Sequence, residues 1–287
     1  MRRNLKLLAV IGALVFVFGL VAGCGGEDVA GAKKAHLALV EWDCAIASTH
    51  VLATVLEDLG YDVEITSVDA GIMYQGLATG SFDAMTTSWL PHTHAAYMEE
   101  VGAGVDDLGS NYDGDAKIGL VVPSYVTIDS ITEMNSDDFA GKIVGIEPGA
   151  GIMAATENAI DVYDLDLELQ DSSSFAMAAA LKSAIENEEW IAVTGWSPHW
   201  KFAVYDLKYL NDPEGVYGGA ESINTIARLG LKEDDPALYS VLDNFIWAPE
   251  DIGTVMLMVT EGMDPYEAAR QWVDENQDKV AEWTKDA

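Results

Sequence analysis

The segments Trp89-Leu90-Pro91-His92 and Trp196-Ser197-Pro198-His199 are near copies, each closing an apolar run in its own half of a 287-residue chain. The likeness extends upstream of both. Residues 40–46 align with 146–152 and residues 61–65 with 165–169, at offsets of 106 and 104 residues, against 107 for the Trp-x-Pro-His pair. Three matches in one order require two halves built alike. Each half reads as strand, helix, strand, helix, strand and then the Trp-x-Pro-His loop, which is a parallel α/β pattern. Ligands of open α/β sheets bind beyond the carboxyl ends of the strands. The paired loops fall at that edge, so the chain is expected to form two matching lobes that present aromatic faces to one cleft.

Apolar periodicity places the elements. In lobe one, strands are expected at 36–42, 62–68 and 83–88, with helices at 45–59 and 72–79. A Gly/Asp-rich turn at 111–115 precedes the run 117–122, the expected first passage between lobes. Lobe two is expected to hold strands at 142–146, 165–169 and 191–194 and helices at 151–163 and 174–187. Glycines and prolines at 212–219 break the chain before 222–228 returns it to lobe one, and helices at 236–245, 252–261 and 265–283 finish it. The domain boundaries follow: lobe one from 36–116 plus 226–287, lobe two from 117–225. Two crossings imply hinge motion.

The beginning of the chain reads as an address. Arg2, Arg3 and Lys6 precede an apolar stretch over 7–21, then Val21-Ala22-Gly23-Cys24. A basic start, a short apolar core and small residues form a secretory signal, expected over 1–23. The segment resembles a lipoprotein signal, which implies that Cys24 is lipidated and becomes the first mature residue. Arg2-Arg3 also bears a faint likeness to a twin-arginine signal, and the export route stays open. Residues 24–35 read as a polar, glycine-containing tether. Cys44 is the one other cysteine. With Cys24 acylated no internal disulfide can form, and stability rests on two ordinary cores.

Removing the signal leaves 12 Lys and Arg against 48 Asp and Glu, a formal charge of −36. Such a charge repels nucleic acid and anionic lipid. The acids are dispersed, as at 186–189 and 274–278, rather than gathered in a tail. This is either an ordinary solvated surface or an adaptation to a salty exterior, and the composition resembles that of halophile proteins.

Trp42-Asp43, residues 88–94 (Ser-Trp-Leu-Pro-His-Thr-His) and residues 194–200 (Thr-Gly-Trp-Ser-Pro-His-Trp), in this order behind a lipoprotein-like signal, resemble the glycine betaine binding proteins of ABC importers. The likeness covers 36–287 and includes Asn244-Phe245-Ile246-Trp247. It implies a two-lobed, type II periplasmic-binding-protein-like fold, each lobe a mostly parallel sheet flanked by helices. It further implies a quaternary ammonium zwitterion as ligand, a membrane permease as partner, a lipid-anchored extracytoplasmic location, a monomer, and no cofactor or metal.

The chemistry of the residues agrees. A trimethylammonium group has no hydrogen to donate, so it suits electron-rich ring faces, each Trp contributing about 0.5 to 2 kcal/mol when desolvated. The family's three-tryptophan cage points to Trp42, Trp89 and Trp196, all at strand ends, although a buried Trp is also an ordinary core residue. For the carboxylate, Pro148-Gly149-Ala150-Gly151-Ile152 turns a strand into a helix and offers the free amides of Gly151 and Ile152. A glycine pair at such a turn can also serve geometry alone. The resemblance adds His94, five residues after the second cage Trp, as a donor to the carboxylate. Trp190, Trp200, Trp247, Trp272 and Trp283 read as packing residues, and His92 and His199 as structural histidines. Asp43 either tunes the field around the cation or caps the helix that follows.

Two rival classes bear on this reading. His92 and His94 with Asp83 or Asp43 could ligate a metal for hydrolysis. However, the chain has no His-Glu-x-x-His, no Gly-x-Ser-x-Gly elbow and no glycine-rich phosphate loop, so no residue is assigned a catalytic role. A ligand sensor with the same binding site is the second rival, and choline or carnitine the alternative ligand.

Overall fold

The structure, a computed structural model, describes residues 33–287. The expected signal, Cys24 and the tether up to residue 32 lie outside the described residues. In chain order the elements are β1 (Lys33–Leu39), α1 (Asp43–Asp58), β2 (Tyr61–Ser67), α2 (Ala70–Ala78), β3 (Ala84–Leu90), α3 (Ala95–Val101), β4 (Val105–Ser110) and β5 (Lys117–Pro123). These are followed by β6 (Lys142–Val144), α4 (Gly151–Val162), β7 (Glu168–Gln170), α5 (Ser174–Glu186), β8 (Val193–Ser197), α6 (Lys201–Val204), β9 (Leu207–Tyr209) and β10 (Ser222–Arg228). Five helices close the chain: α7 (Leu231–Asp234), α8 (Pro236–Asn244), α9 (Pro249–Thr260), α10 (Pro265–Glu275) and α11 (Gln277–Thr284).

The strands form two five-stranded sheets, ordered β2-β1-β3-β10-β4 and β7-β6-β8-β5-β9. Each sheet centres one lobe, and the two are built on one plan. Leu37 pairs with Ile65 in the first, and Ile143 with Leu169 in the second. These are the positions that the repeat makes equivalent. The expectation of mostly parallel sheets needs correction, because in each sheet two of the four pairings are antiparallel. The cause is the crossing strands: β5 and β10 enter from the other half of the chain and run against β8 and β3, the strands that carry Trp196 and Trp89. β10 lies wholly in the first sheet from Ser222 onward.

The first strand begins earlier than expected. Lys33 to Ala35, read as the end of the tether, pair in register with Tyr61 to Val63. Two weak edge strands, β4 and β9, carry too little apolar signal to stand out in the sequence, and their charged or polar residues suit a sheet edge. The expected helix over 265–283 is two helices. Asn276 Nδ2 donates to the carbonyl of Trp272 at 2.8 Å and ends α10. The chain then folds back so that Trp283 stacks on Trp272 at 5.6 Å between centroids.

Burial explains why α1 is the anchor of the first lobe. An uninterrupted run from Thr49 to Leu56 is buried, so nearly every face of the helix is covered by the sheet, α9 or α10. Small Ala45, Ala47 and Ala53 allow close approach, while Leu52, Val55 and Leu56 each contribute roughly 1.5 to 3 kcal/mol on full burial. Trp247, Trp272 and Trp283 pack with Phe245 away from the cleft, as their sequence context implies. Among the described residues, no helix is long and apolar enough to cross a membrane.

Candidate functional site

A cavity with about 300 Å³ of empty space lies between the carboxyl ends of the two sheets. Trp42, Trp89, His94, Gly151, Ile152 and Trp196 all line it, joined by Cys44, Thr93, Ile118, Ile146 and Ala150. Trp89 and Trp196 sit within the last residues of β3 and β8, just before their Pro-His turns. Trp42 is the residue at which β1 has ended and α1 begins. The three rings are 6%, 3% and 4% exposed, in the order Trp42, Trp89, Trp196, so a cation among them would meet ring faces with little water present.

His94 is fixed by a reciprocal pair. Its backbone N–H donates to Trp89 O, and its ring Nδ1 accepts from Trp89 N, both at 2.9 Å. An Nδ1 that accepts carries no proton, so the proton of the neutral ring is on Nε2. The ring stacks on Trp42 at 5.5 Å, and burial pushes its pKa down to about 3. It therefore serves as a neutral N–H donor. The loop that carries it is held from below by Glu221, whose carboxylate accepts from His92 N at 2.9 Å and Thr93 N at 2.7 Å, and from the Thr93 hydroxyl. Glu221 sits on the segment crossing back between lobes, beside Ala116 of the outward crossing. Nothing in its local sequence marks that role.

In the second lobe, α4 begins at Gly151 without a side-chain cap. The N–H groups of Gly151 and Ile152 donate to no protein acceptor among the described residues. Two free amides at a helix start form an anion site, favoured further by the helix dipole. Gly151 has a second reason to be glycine: a Cβ there would lie 2.1 Å from Thr93 O of the first lobe. The missing side chain is what allows the lobes to meet.

Contacts between the lobes ring the cavity. Trp42 Nε1 donates to Glu147, and Tyr97 donates its hydroxyl proton to Gly149 O. Asp43 reaches furthest. One oxygen accepts from Trp200 Nε1 at 2.7 Å, the other from Ser174 Oγ at 2.8 Å, and His199 Nε2 stands 3.4 Å from that second oxygen. Burial alone would raise the pKa of Asp43, but His199, Ser174 and Trp200 together outweigh it and hold the carboxyl well below its usual range. Burial, with Lys201 nearby, pushes His199 down to about 4 against the pull of Asp43. Asp43 is thus the first residue of α1 itself, with Trp42 in the capping position, so the expected capping role does not hold. It ties the lobes together. Trp200 and His199, expected as structural residues, are two of its partners, whereas His92 is exposed, with its ring against Gly218.

The metal alternative finds no support in the geometry. His94 Nδ1 is occupied by a backbone N–H, and no group of three or more His, Cys, Asp or Glu able to hold a metal occurs among the described residues.

A ligand cleft between two lobes of this topology defines a type II periplasmic binding protein. Residues 33–275 match the family described as the substrate binding domain of ABC-type glycine betaine transport systems, and the chain belongs to that family. It is 56% identical over 145 residues to the glycine betaine/carnitine transport binding protein GbuC of Listeria monocytogenes, a match spanning 50% of this chain and 48% of that protein. The match thus spans about half the length of that relative. The crystal structure of lactococcal OpuAC, closed and complexed with glycine betaine, superposes with a TM-score of 0.85 at 45% identity, covering 88% of this chain and 99% of that one. The glycine/betaine/L-proline-binding protein ProX of Borrelia burgdorferi gives a TM-score of 0.85 at 42% identity over 88% of this chain and 97% of that one.

Proposed function

We propose that this protein captures glycine betaine, or a closely related betaine, between its lobes and delivers it to the permease of an ABC importer for osmoprotection. The observation that carries the reading is the convergence of three indole rings and three free N–H groups on one small cavity. Trp42, Trp89 and Trp196 surround the methylated cation. His94 Nε2 and the amides of Gly151 and Ile152 receive the carboxylate. Rings and donors come from both lobes, so ligand and closure stabilise one another. Acylated Cys24 would hold the protein at the outer face of the membrane as a monomer beside its permease, and the acidic surface fits a saline exterior.

A calorimetric panel of glycine betaine, proline betaine, carnitine and choline tests the reading. Choline carries the cation without a carboxylate, so the three N–H donors would have no partner and the buried amides would go unsatisfied. Betaines should bind at least about tenfold more tightly than choline, as expected for one charged hydrogen bond lost. Equal affinity for choline and glycine betaine would reduce the site to a general quaternary-amine binder.

A further inference from the structure

Lys201 is the first residue of α6, and its side chain is completely buried, at 0% exposure. Its Nζ has no hydrogen-bond partner among the described residues. It lies 4.2 Å from the centroid of the Trp196 ring. Lys201 does not line the cavity, so the amine approaches the ring from outside it. One indole is therefore positioned to serve two cations, a ligand ammonium within the cavity and a lysine ammonium outside it. A second cation on the same π system draws electron density from the ring and repels the first directly.

Building on the betaine-binding reading, we propose that Lys201 determines the affinity of the site through Trp196: its ammonium weakens capture of a quaternary ammonium ligand, and its neutral amine releases the ring to that ligand. Lys201 is thus a positioning residue that does not touch the ligand. The surroundings allow both forms. Burial pulls the amine down to about 7, opposed by Asp43 and Cys44 on α1. On strand β5, apolar Val121 approaches Gly195 together with Lys201 Cε. The remaining titratable neighbours stay in one state near neutrality. His199 is pushed down to about 4, Asp43 is held far below its usual value, burial pushes the Cys44 thiol up to about 12, and burial raises Tyr209 still further. In the cavity itself, His94 is neutral. Between about pH 5.5 and 8.5, Lys201 is the one group of this set whose charge changes.

The test is calorimetric titration of glycine betaine at pH 5.5, 7 and 8.5 into the wild-type protein, Lys201→Met and Lys201→Arg. The wild-type Kd should fall about two- to thirtyfold as pH rises across this range, the span of one cation–π contact. Lys201→Met should bind tightly at every pH without that slope. Lys201→Arg, charged throughout, should bind weakly at every pH. A Lys201→Met protein that keeps the wild-type slope overturns the role of Lys201 while leaving betaine binding intact. If Lys201→Met does not fold, the wild-type titration decides alone, since a flat affinity from pH 5.5 to 8.5 overturns the proposal. Wild-type protein that takes up no betaine at any pH overturns the binding reading and this inference with it.

Discussion

His94 combines two tasks that burial makes compatible. Its Nδ1 secures the loop by accepting from Trp89, and its Nε2–H is left for the cavity. His94→Ala should therefore lower betaine affinity by about 1.5 to 3 kcal/mol, the range for a hydrogen bond to a charged group, and leave choline binding unchanged. Equal losses for both ligands would mean that the ring packs the loop without meeting the carboxylate. The same burial sets a pH dependence of stability. An unfolded histidine binds its proton near pH 6.5, whereas His94 and His199 in the fold do so only near 3 and 4. Between these values the unfolded chain holds more protons, so stability falls as pH drops from 6.5 toward 4 and gains nothing from these groups above 6.5. Thermal unfolding from pH 7.5 to 4.5 should show that decline, and His199→Gln should make it shallower. The proposed site residues, which line one cavity, could be singled out because each belongs to a local motif. Asp43, Glu221 and Lys201 were not, since their partners lie 131 and 157, 129 and 128 residues away or, for Lys201, behind a ring whose facing no sequence pattern records.

At the scale of elements, the start of α4 decides whether the lobes can close. Gly151→Ala keeps both amides and favours the helix, but its methyl would meet the backbone of Thr93. The variant should be as stable as wild type without ligand and should bind betaine at least tenfold more weakly, about 1.4 kcal/mol or more of steric cost. Unchanged affinity would show that closure tolerates the extra atom. Several strands and helices were legible because apolar period and turn chemistry agree there, as for β10 and for α2, α4 and α5. The short edges β4 and β9 were not, because three to six half-exposed residues make no pattern. The break between α10 and α11 was hidden for a different reason. Apolar spacing continues through it, and the interruption comes from one asparagine side chain taking a helix carbonyl.

Over the whole molecule two features dominate, its charge and its division. With 48 acidic and 15 basic residues in the full chain, most carboxylates have no cation to pair with. Raising salt toward molar levels shortens the screening length from about 10 Å to about 3 Å. The melting temperature should rise across that series, whereas betaine affinity should change little, because a zwitterion has no net charge to be steered. A flat or falling melting temperature would remove the saline adaptation. The division runs through the proposed site: Trp42, Trp89 and His94 belong to one lobe, and Gly151, Ile152 and Trp196 to the other. Neither half alone offers all three rings and all three donors, so the proposed site predicts that capture and closure are one event. Small-angle scattering during a glycine betaine titration measures this directly. The radius of gyration should fall with the same midpoint as the calorimetric heat of binding; betaine that binds with full heat while the radius of gyration stays constant would contradict a site shared between the lobes.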